Sequence, residues 1–238
     1  MNCIAKSASH IGKVRKKNED SFKTGKCYAI VADGMGGHNK GETASKMAVE
    51  TISKELAKKK ALVMAFEKAN KEIYNKAQKE DAYQGMGTTA VACMWEENVA
   101  YIANVGDSRG YLLRGNKLKQ ITKDHSLVQQ MVDRGEITRN EAEKRPDKNI
   151  ILRALGAEEN INVDMFEINL FNDDMILLCT DGLTGCVKDK DIEKILRDEK
   201  NLQNALDLLV EKANKHGGED NITAVLLKFC EELSGGTV

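Results

Sequence analysis

Four aspartates stand at the ends of short apolar runs. Asp33 follows Tyr28-Ala29-Ile30-Val31-Ala32, Asp107 follows Ile102-Ala103-Asn104-Val105-Gly106, Asp181 follows Ile176-Leu177-Leu178-Cys179-Thr180, and Asp220 precedes Ile222-Thr223-Ala224-Val225. A fifth, Asp20, lies in Asn18-Glu19-Asp20-Ser21-Phe22. A single aspartate at a strand end is ordinary turn or cap chemistry. Several that converge would crowd like charges into one small volume, and bound divalent cations would offset that repulsion. Oxygen-only ligands favour hard cations, Mg²⁺ or Mn²⁺, over zinc, and none of the four histidines has a zinc-type spacing. Three of the aspartates are flanked by glycine, in Asp33-Gly34, Gly106-Asp107 and Asp181-Gly182. Glycine allows the sharp turns and close backbone approach that a carbonyl ligand requires.

The elements that must position these groups are visible as apolar runs at 27–32, 88–95, 99–105, 110–113, 175–179 and 222–229. They are rich in Val, Ile or Tyr and bounded by Gly, Asp or Asn, which predicts strands. After the first run, Ala44, Ala48, Ile52 and Leu56 recur at helical spacing, followed by Leu62, Ala65 or Phe66, Ala69, Ile73 and Ala77. Two amphipathic helices are expected there, and two more at 192–197 and 202–216, the last stopped by Gly217-Gly218. Consecutive strands without intervening helices pair antiparallel, so the fold class is α+β rather than a doubly wound parallel sheet. A polar insert at about 124–156 reads as short surface helices forming a flap, and 233–238 as a short flexible tail.

The chain has 238 residues, 36 Lys+Arg against 37 Asp+Glu and a formal net charge of −1. That balance argues against a protein that holds nucleic acid by bulk positive charge, and against a two-metal nuclease. A composition 41% hydrophobic and 31% charged belongs to globular chains, and the lone proline, Pro146, leaves no proline-rich linker. With no signal-like apolar start and no run long enough to span a bilayer, a cytoplasmic protein without membrane insertion is expected. Six cysteines, Cys3, Cys27, Cys93, Cys179, Cys186 and Cys230, lack any Cys-x-x-Cys pair and are read as buried, reduced thiols. The lysine excess at 54–79 reads as a solvated helix face, and Arg109 as a brace for its turn. His10, His125 and His216 suggest no partner.

Six motifs in order carry a resemblance. They are Arg15-Lys16-Lys17-Asn18-Glu19-Asp20, Val31-Ala32-Asp33-Gly34-Met35-Gly36-Gly37-His38, Gly87-Thr88-Thr89, Asn104-Val105-Gly106-Asp107-Ser108-Arg109, Thr180-Asp181-Gly182-Leu183 and Asp220-Asn221-Ile222-Thr223. Together they resemble the metal-dependent protein serine/threonine phosphatases of the type 2C class, the PPM family, in their compact bacterial form. The resemblance implies a single catalytic domain over 1–232, built as a central sandwich of two antiparallel β-sheets flanked by α-helices on both sides. It implies two Mn²⁺ or Mg²⁺ ions, with Asp33 bridging them, the Gly34 carbonyl on one, and Asp181 and Asp220 completing the pair. Asp20 would act directly or through water, Asp107 with Asp181 matches a third, weaker site, and Arg15 matches the arginine that grips the substrate phosphate.

A water bridging the two cations would then attack as hydroxide, without a phosphoenzyme. Met35 stands where animal members carry a histidine, so the leaving alkoxide's proton is expected from metal-bound water, with His38 as the other candidate. The resemblance implies phosphorylated proteins as partners, among them a serine/threonine kinase and its substrates, and a monomer. The competing expectation is a phosphoprotein-binding scaffold of the same fold without catalysis. Its signature would be a lost carboxylate, and all five are present.

Overall fold

The computed structural model describes residues 1–36, 40–58 and 61–231. His38 and the expected tail at 233–238 lie outside the described residues. The chain runs β1 (Asn2–His10), β2 (Asp20–Gly25), β3 (Tyr28–Met35), α1 (Lys40–Ala57), α2 (Leu62–Lys79), β4 (Gly87–Thr88), β5 (Ala90–Glu96), β6 (Val99–Val105), β7 (Arg109–Arg114) and β8 (Lys117–Gln120). It continues through α3 (Leu127–Asp133), α4 (Arg139–Ala142), β9 (Asp164–Asn169), β10 (Met175–Cys179), α5 (Asp181–Thr184), α6 (Asp189–Asp198), α7 (Leu202–Lys215) and β11 (Ile222–Cys230).

One sheet has the order β1-β11-β10-β7-β8 and the other β2-β3-β5-β6-β9, with β4 added to β3. Every pairing is antiparallel. The alternation of strand side chains builds three apolar layers. Val31, Val91, Ile102, Leu178, Val225 and Phe229 fill the space between the sheets, where Trp95 meets Phe229 edge to face at 5.5 Å. The next residues along β3 and β5, Ile30, Ala32 and Ala92, turn outward against Ala44, Ala48 and Ile52 of α1 and Phe66 and Ile73 of α2. On the opposite face Leu177, Ala224 and Leu226 receive Ile192 and Leu196 of α6 and Leu206 and Leu209 of α7. The result is the α-β-β-α sandwich, an α+β fold.

Two expected strands differ in a way that bears on the site. The run at 27–32 extends through Asp33 and Gly34 to Met35, because Gly34 and Met35 pair with Thr88 and Gly87 of β4. The run at 88–95 breaks at Thr89, which faces Asp33 of β3: its N–H donates to the Asp33 carbonyl at 2.8 Å, but the Asp33 N–H returns to the Thr89 hydroxyl at 3.0 Å rather than to its carbonyl. The cysteines are corrected as well. Cys93 and Cys179 are buried, Cys3, Cys186 and Cys230 are partly so, and Cys27 is exposed just outside β3; all six are free thiols. The lysine-rich helices carry intrahelical pairs such as Lys46 with Glu42, Lys68 with Glu72 and Lys76 with Glu80, as a solvated face requires.

Candidate active site

Asp33 lies inside β3 and its direct cross-strand partner is Asp20, the first residue of β2. Asp181 opens α5 after β10, Asp220 lies two residues before β11, and Asp107 sits on the turn between β6 and β7. The sandwich brings all five carboxylates to one end, where Asp33 feels the other four. Burial raises Asp33 well above the usual carboxylate range, and the charges of Asp20, Asp181, Asp107 and Asp220 push it further. Asp20 is pushed up to about 7, by burial first and then by Asp181 and Asp220, against hydrogen bonds from Thr223 and Thr180 that oppose the rise. Burial with the charges of Asp181 and Asp124 takes Asp107 to about 8. Asp181 is also raised, by burial and by Asp220, although Asp33 hydrogen-bonds to it and Arg109 and Arg15 favour its charged form.

Polar staples fix these aspartates. The Asp33 N–H donates to Thr89 Oγ1 at 3.0 Å and its carbonyl accepts from Thr88 Oγ1 at 2.7 Å, while Thr89 Oγ1 meets Ser108 Oγ at 2.7 Å beside Asp107. Thr180 Oγ1 donates to Asp20 Oδ2 at 2.9 Å and accepts the Thr223 N–H at 3.0 Å. Asp220 Oδ1 accepts the N–H of Asn221 at 2.8 Å, and its Oδ2 accepts from Arg15 at 2.7 Å. Gly34 is needed for close approach: a Cβ there would stand 2.1 Å from the Gly41 carbonyl oxygen at the start of α1.

The donor set suits a hard cation. Asp20 Oδ1 and Asp181 Oδ1 are buried without a hydrogen-bond partner, in a cluster where burial first and neighbouring carboxylates second raise the proton affinity of Asp20 and Asp181. Among the described residues no three His, Cys, Asp or Glu side chains are already arranged to hold an ion by themselves.

Arg15, on the loop between β1 and β2, joins the cluster through Asp220, and half of its side chain stays exposed. Arg109 does brace its turn: it forks onto Asp124 with contacts of 2.7 and 3.0 Å and donates to Tyr111. Sequence reasoning left His125 without a partner, whereas its Nδ1 accepts the Gly106 N–H at 3.0 Å and its Nε2 lies 3.2 Å from Asp164. An Nδ1 that accepts an N–H carries no proton, and burial lowers the His125 pKa in the same direction.

Asn221 was read only as part of a motif. Its Nδ2 donates to the carbonyls of Ile11 at 2.9 Å and Lys17 at 2.8 Å, and its Oδ1 accepts the Glu19 N–H at 2.8 Å. One amide therefore fastens both ends of the loop that carries Arg15. Asn221→Ala is expected to lower stability by about 2 kcal/mol, since it leaves backbone groups unpaired. A thermal melt should show a midpoint about 4–8 °C lower; an unchanged midpoint would show that the staple carries no stability.

The model of the protein phosphatase 2C family matches residues 8–227. A serine/threonine phosphatase, stp, of Listeria welshimeri is 44% identical over 232 residues, covering 91% of this chain and 92% of the relative. The crystal structure of the serine/threonine phosphatase PstP/Ppp of Mycobacterium tuberculosis superposes with a TM-score of 0.91 at 35% identity, covering 97% of this chain and all of the other. A structure of the PstP catalytic domain in complex with two manganese ions superposes at 0.89 with 34% identity, covering 96% and 99%. The chain belongs to the protein phosphatase 2C family. It is a protein phosphatase, and among the described residues no helix is long and apolar enough to cross a membrane.

Proposed function

We propose that this chain hydrolyses phosphoserine and phosphothreonine in proteins at the five-carboxylate cluster, as a cytoplasmic monomer opposing a serine/threonine kinase. The observation that supports this most is the gathering of Asp20, Asp33, Asp107, Asp181 and Asp220 at one end of the sandwich, beside a half-exposed Arg15. In this reading Asp33, the Gly34 carbonyl, Asp181 and Asp220 hold two Mn²⁺ or Mg²⁺ ions, Asp20 assists directly or through water, and Asp107 with Asp181 holds a third more weakly. Such ions, when bound, supply an activated water and offset the charge that builds on the phosphoryl oxygens.

The chain's own residues supply the rest. Arg15 offers a planar fork to two phosphate oxygens, a match that lysine lacks. Among the described residues Asp220 is its carboxylate partner at ion-pair distance and ties the guanidinium to the cluster. Thr180 restrains Asp20, and the Thr88 and Thr89 hydroxyls restrain the Asp33 backbone, so the carboxylates that would hold the ions are positioned before substrate arrives. Met35 follows Asp33-Gly34 and can donate no proton; the serine or threonine oxygen leaves with a proton drawn from water.

Hydrolysis of phosphoserine, phosphothreonine and phosphotyrosine peptides in heavy-oxygen water tests the reading. Label should enter the released phosphate in one turnover for the first two peptides, with no phosphorylated enzyme trapped. A covalent phosphoenzyme, or activity confined to phosphotyrosine, would contradict it. Arg15→Ala should raise KM about tenfold or more and change kcat much less. A loss confined to kcat would remove Arg15 from substrate binding.

A further inference from the structure

The loop between β1 and β2 carries four cations within five residues, Lys13, Arg15, Lys16 and Lys17. All four are exposed. Arg15 is engaged with Asp220, and Lys17 favours the charged form of Glu42. Lys13 and Lys16 have no carboxylate at ion-pair distance among the described residues. Glu19, Asp20, Glu219 and Asp220 are the acidic residues next to the loop and its anchor in the chain, and of these Asp220 is taken by Arg15.

A run of surface lysines is usually a solvated, mobile face. Here the backbone is fixed. The Lys13 N–H donates to the Gly218 carbonyl at 2.7 Å, Asn221 takes the carbonyls of Ile11 and Lys17 and the N–H of Glu19, and Asn18 Nδ2 donates to Ser9 Oγ at 2.9 Å. Gly12 has φ +82°, and a Cβ on it would stand 2.2 Å from the Asp220 carbonyl oxygen, so the loop lies directly against the segment that ends in the site. Lys13 and Lys16 are thus held within one or two residues of Arg15, no more than about 7 Å between Cα atoms. An extended peptide rises about 3.3 Å per residue. If Arg15 holds the phosphate to be removed, the two lysines lie where side chains one to three residues away on the same peptide would fall.

We infer that this stapled loop is a cationic subsite that selects phosphorylated segments bearing a second negative group, acidic or phosphoryl, one to three residues from the phosphate being removed. The inference rests on the reading of Arg15 as the phosphate grip. Preorganisation matters because the lysines sit on backbone that is already ordered, so less entropy opposes each contact.

The test compares three phosphothreonine peptides with Mn²⁺: one with alanine flanks, one with glutamates at the flanking positions, and one with a second phosphothreonine two residues away. The readout is the ratio of kcat/KM between peptides, in which any general loss of activity cancels. Wild type should favour the anionic peptides by about three- to tenfold at low salt, and the preference should shrink as ionic strength rises. In Lys13→Ala/Lys16→Ala the ratio should approach one, and in Lys13→Glu/Lys16→Glu it should invert. Preference for the doubly phosphorylated peptide alone assigns phosphate as the second anion; preference for both assigns negative charge in general. A wild-type ratio near one, or a preference that survives charge reversal, overturns the subsite. Hydrolysis of none of the three peptides would instead overturn the phosphatase reading beneath it.

Discussion

Asp33→Asn is expected to lower kcat/KM on a phosphothreonine peptide by more than about a hundredfold, above the usual cost of losing an outer partner of a metal ligand. Without divalent cation, the same variant should melt at a higher temperature than wild type near about pH 8. Both effects have one origin. Asp33 lies among four other carboxylates and its proton affinity is raised by burial and by their charges, so the metal-free fold must either hold a proton there or carry repelled charge. Asparagine keeps the shape and the Thr88 and Thr89 backbone contacts while removing the charge. A variant that is active, or one that is inactive but less stable than wild type, would contradict this account of Asp33.

The second large effect is the pH dependence of metal-free stability. Asp20 at about 7 and Asp107 at about 8, with Asp33 and Asp181 also raised, all bind protons more tightly folded than unfolded. The unfolded values lie near about 3.9. The folded state therefore holds more protons between those limits, and stability falls as pH rises through the folded values. For Asp20 and Asp107 the contribution is complete below about pH 4 and gone above about pH 8. Melts of EDTA-treated protein should fall steadily across that window once the general acid unfolding of other carboxylates is past. Mn²⁺ at about a hundredfold over its Kd should raise the midpoint by about 5–10 °C at the alkaline end, and by much less at the acid end, where protons compete for the same oxygens. A Mn²⁺ effect equal at both ends would place the ion elsewhere.

Much of this was legible in the sequence because the strands that aim the aspartates are central ones. The runs before Asp33, Asp107 and Asp181 are apolar on both faces, since each strand is covered by a helix layer on one side and the other sheet on the other. The edges were not legible. β1 reads Asn-Cys-Ile-Ala-Lys-Ser-Ala-Ser-His and β9 Asp-Met-Phe-Glu-Ile-Asn, strands whose partly exposed faces break the apolar signal.

The polar staples were hidden for a different reason. Asn221 reaches Ile11 across 210 positions and Thr180 reaches Asp20 across 160, so no local pattern joins the partners. His125 and Gly106 are 19 positions apart, and only the fold shows that a neutral imidazole supports the Asp107 turn. Asp33 was placed at a strand end because the apolar run stops at Ala32; the strand runs on because β4 pairs with Gly34 and Met35.

The account's central claim is that these carboxylates form a two-cation hydrolytic site. The most direct test is to strip the protein with EDTA, titrate Mn²⁺ back, and follow bound metal and phosphothreonine-peptide hydrolysis in the same sample, with Asp33→Asn alongside. The account predicts no turnover in EDTA, activity rising as two ions bind per chain, and loss of both tight binding and turnover in the variant. Full hydrolysis in EDTA, or unchanged metal binding and turnover in Asp33→Asn, would contradict it.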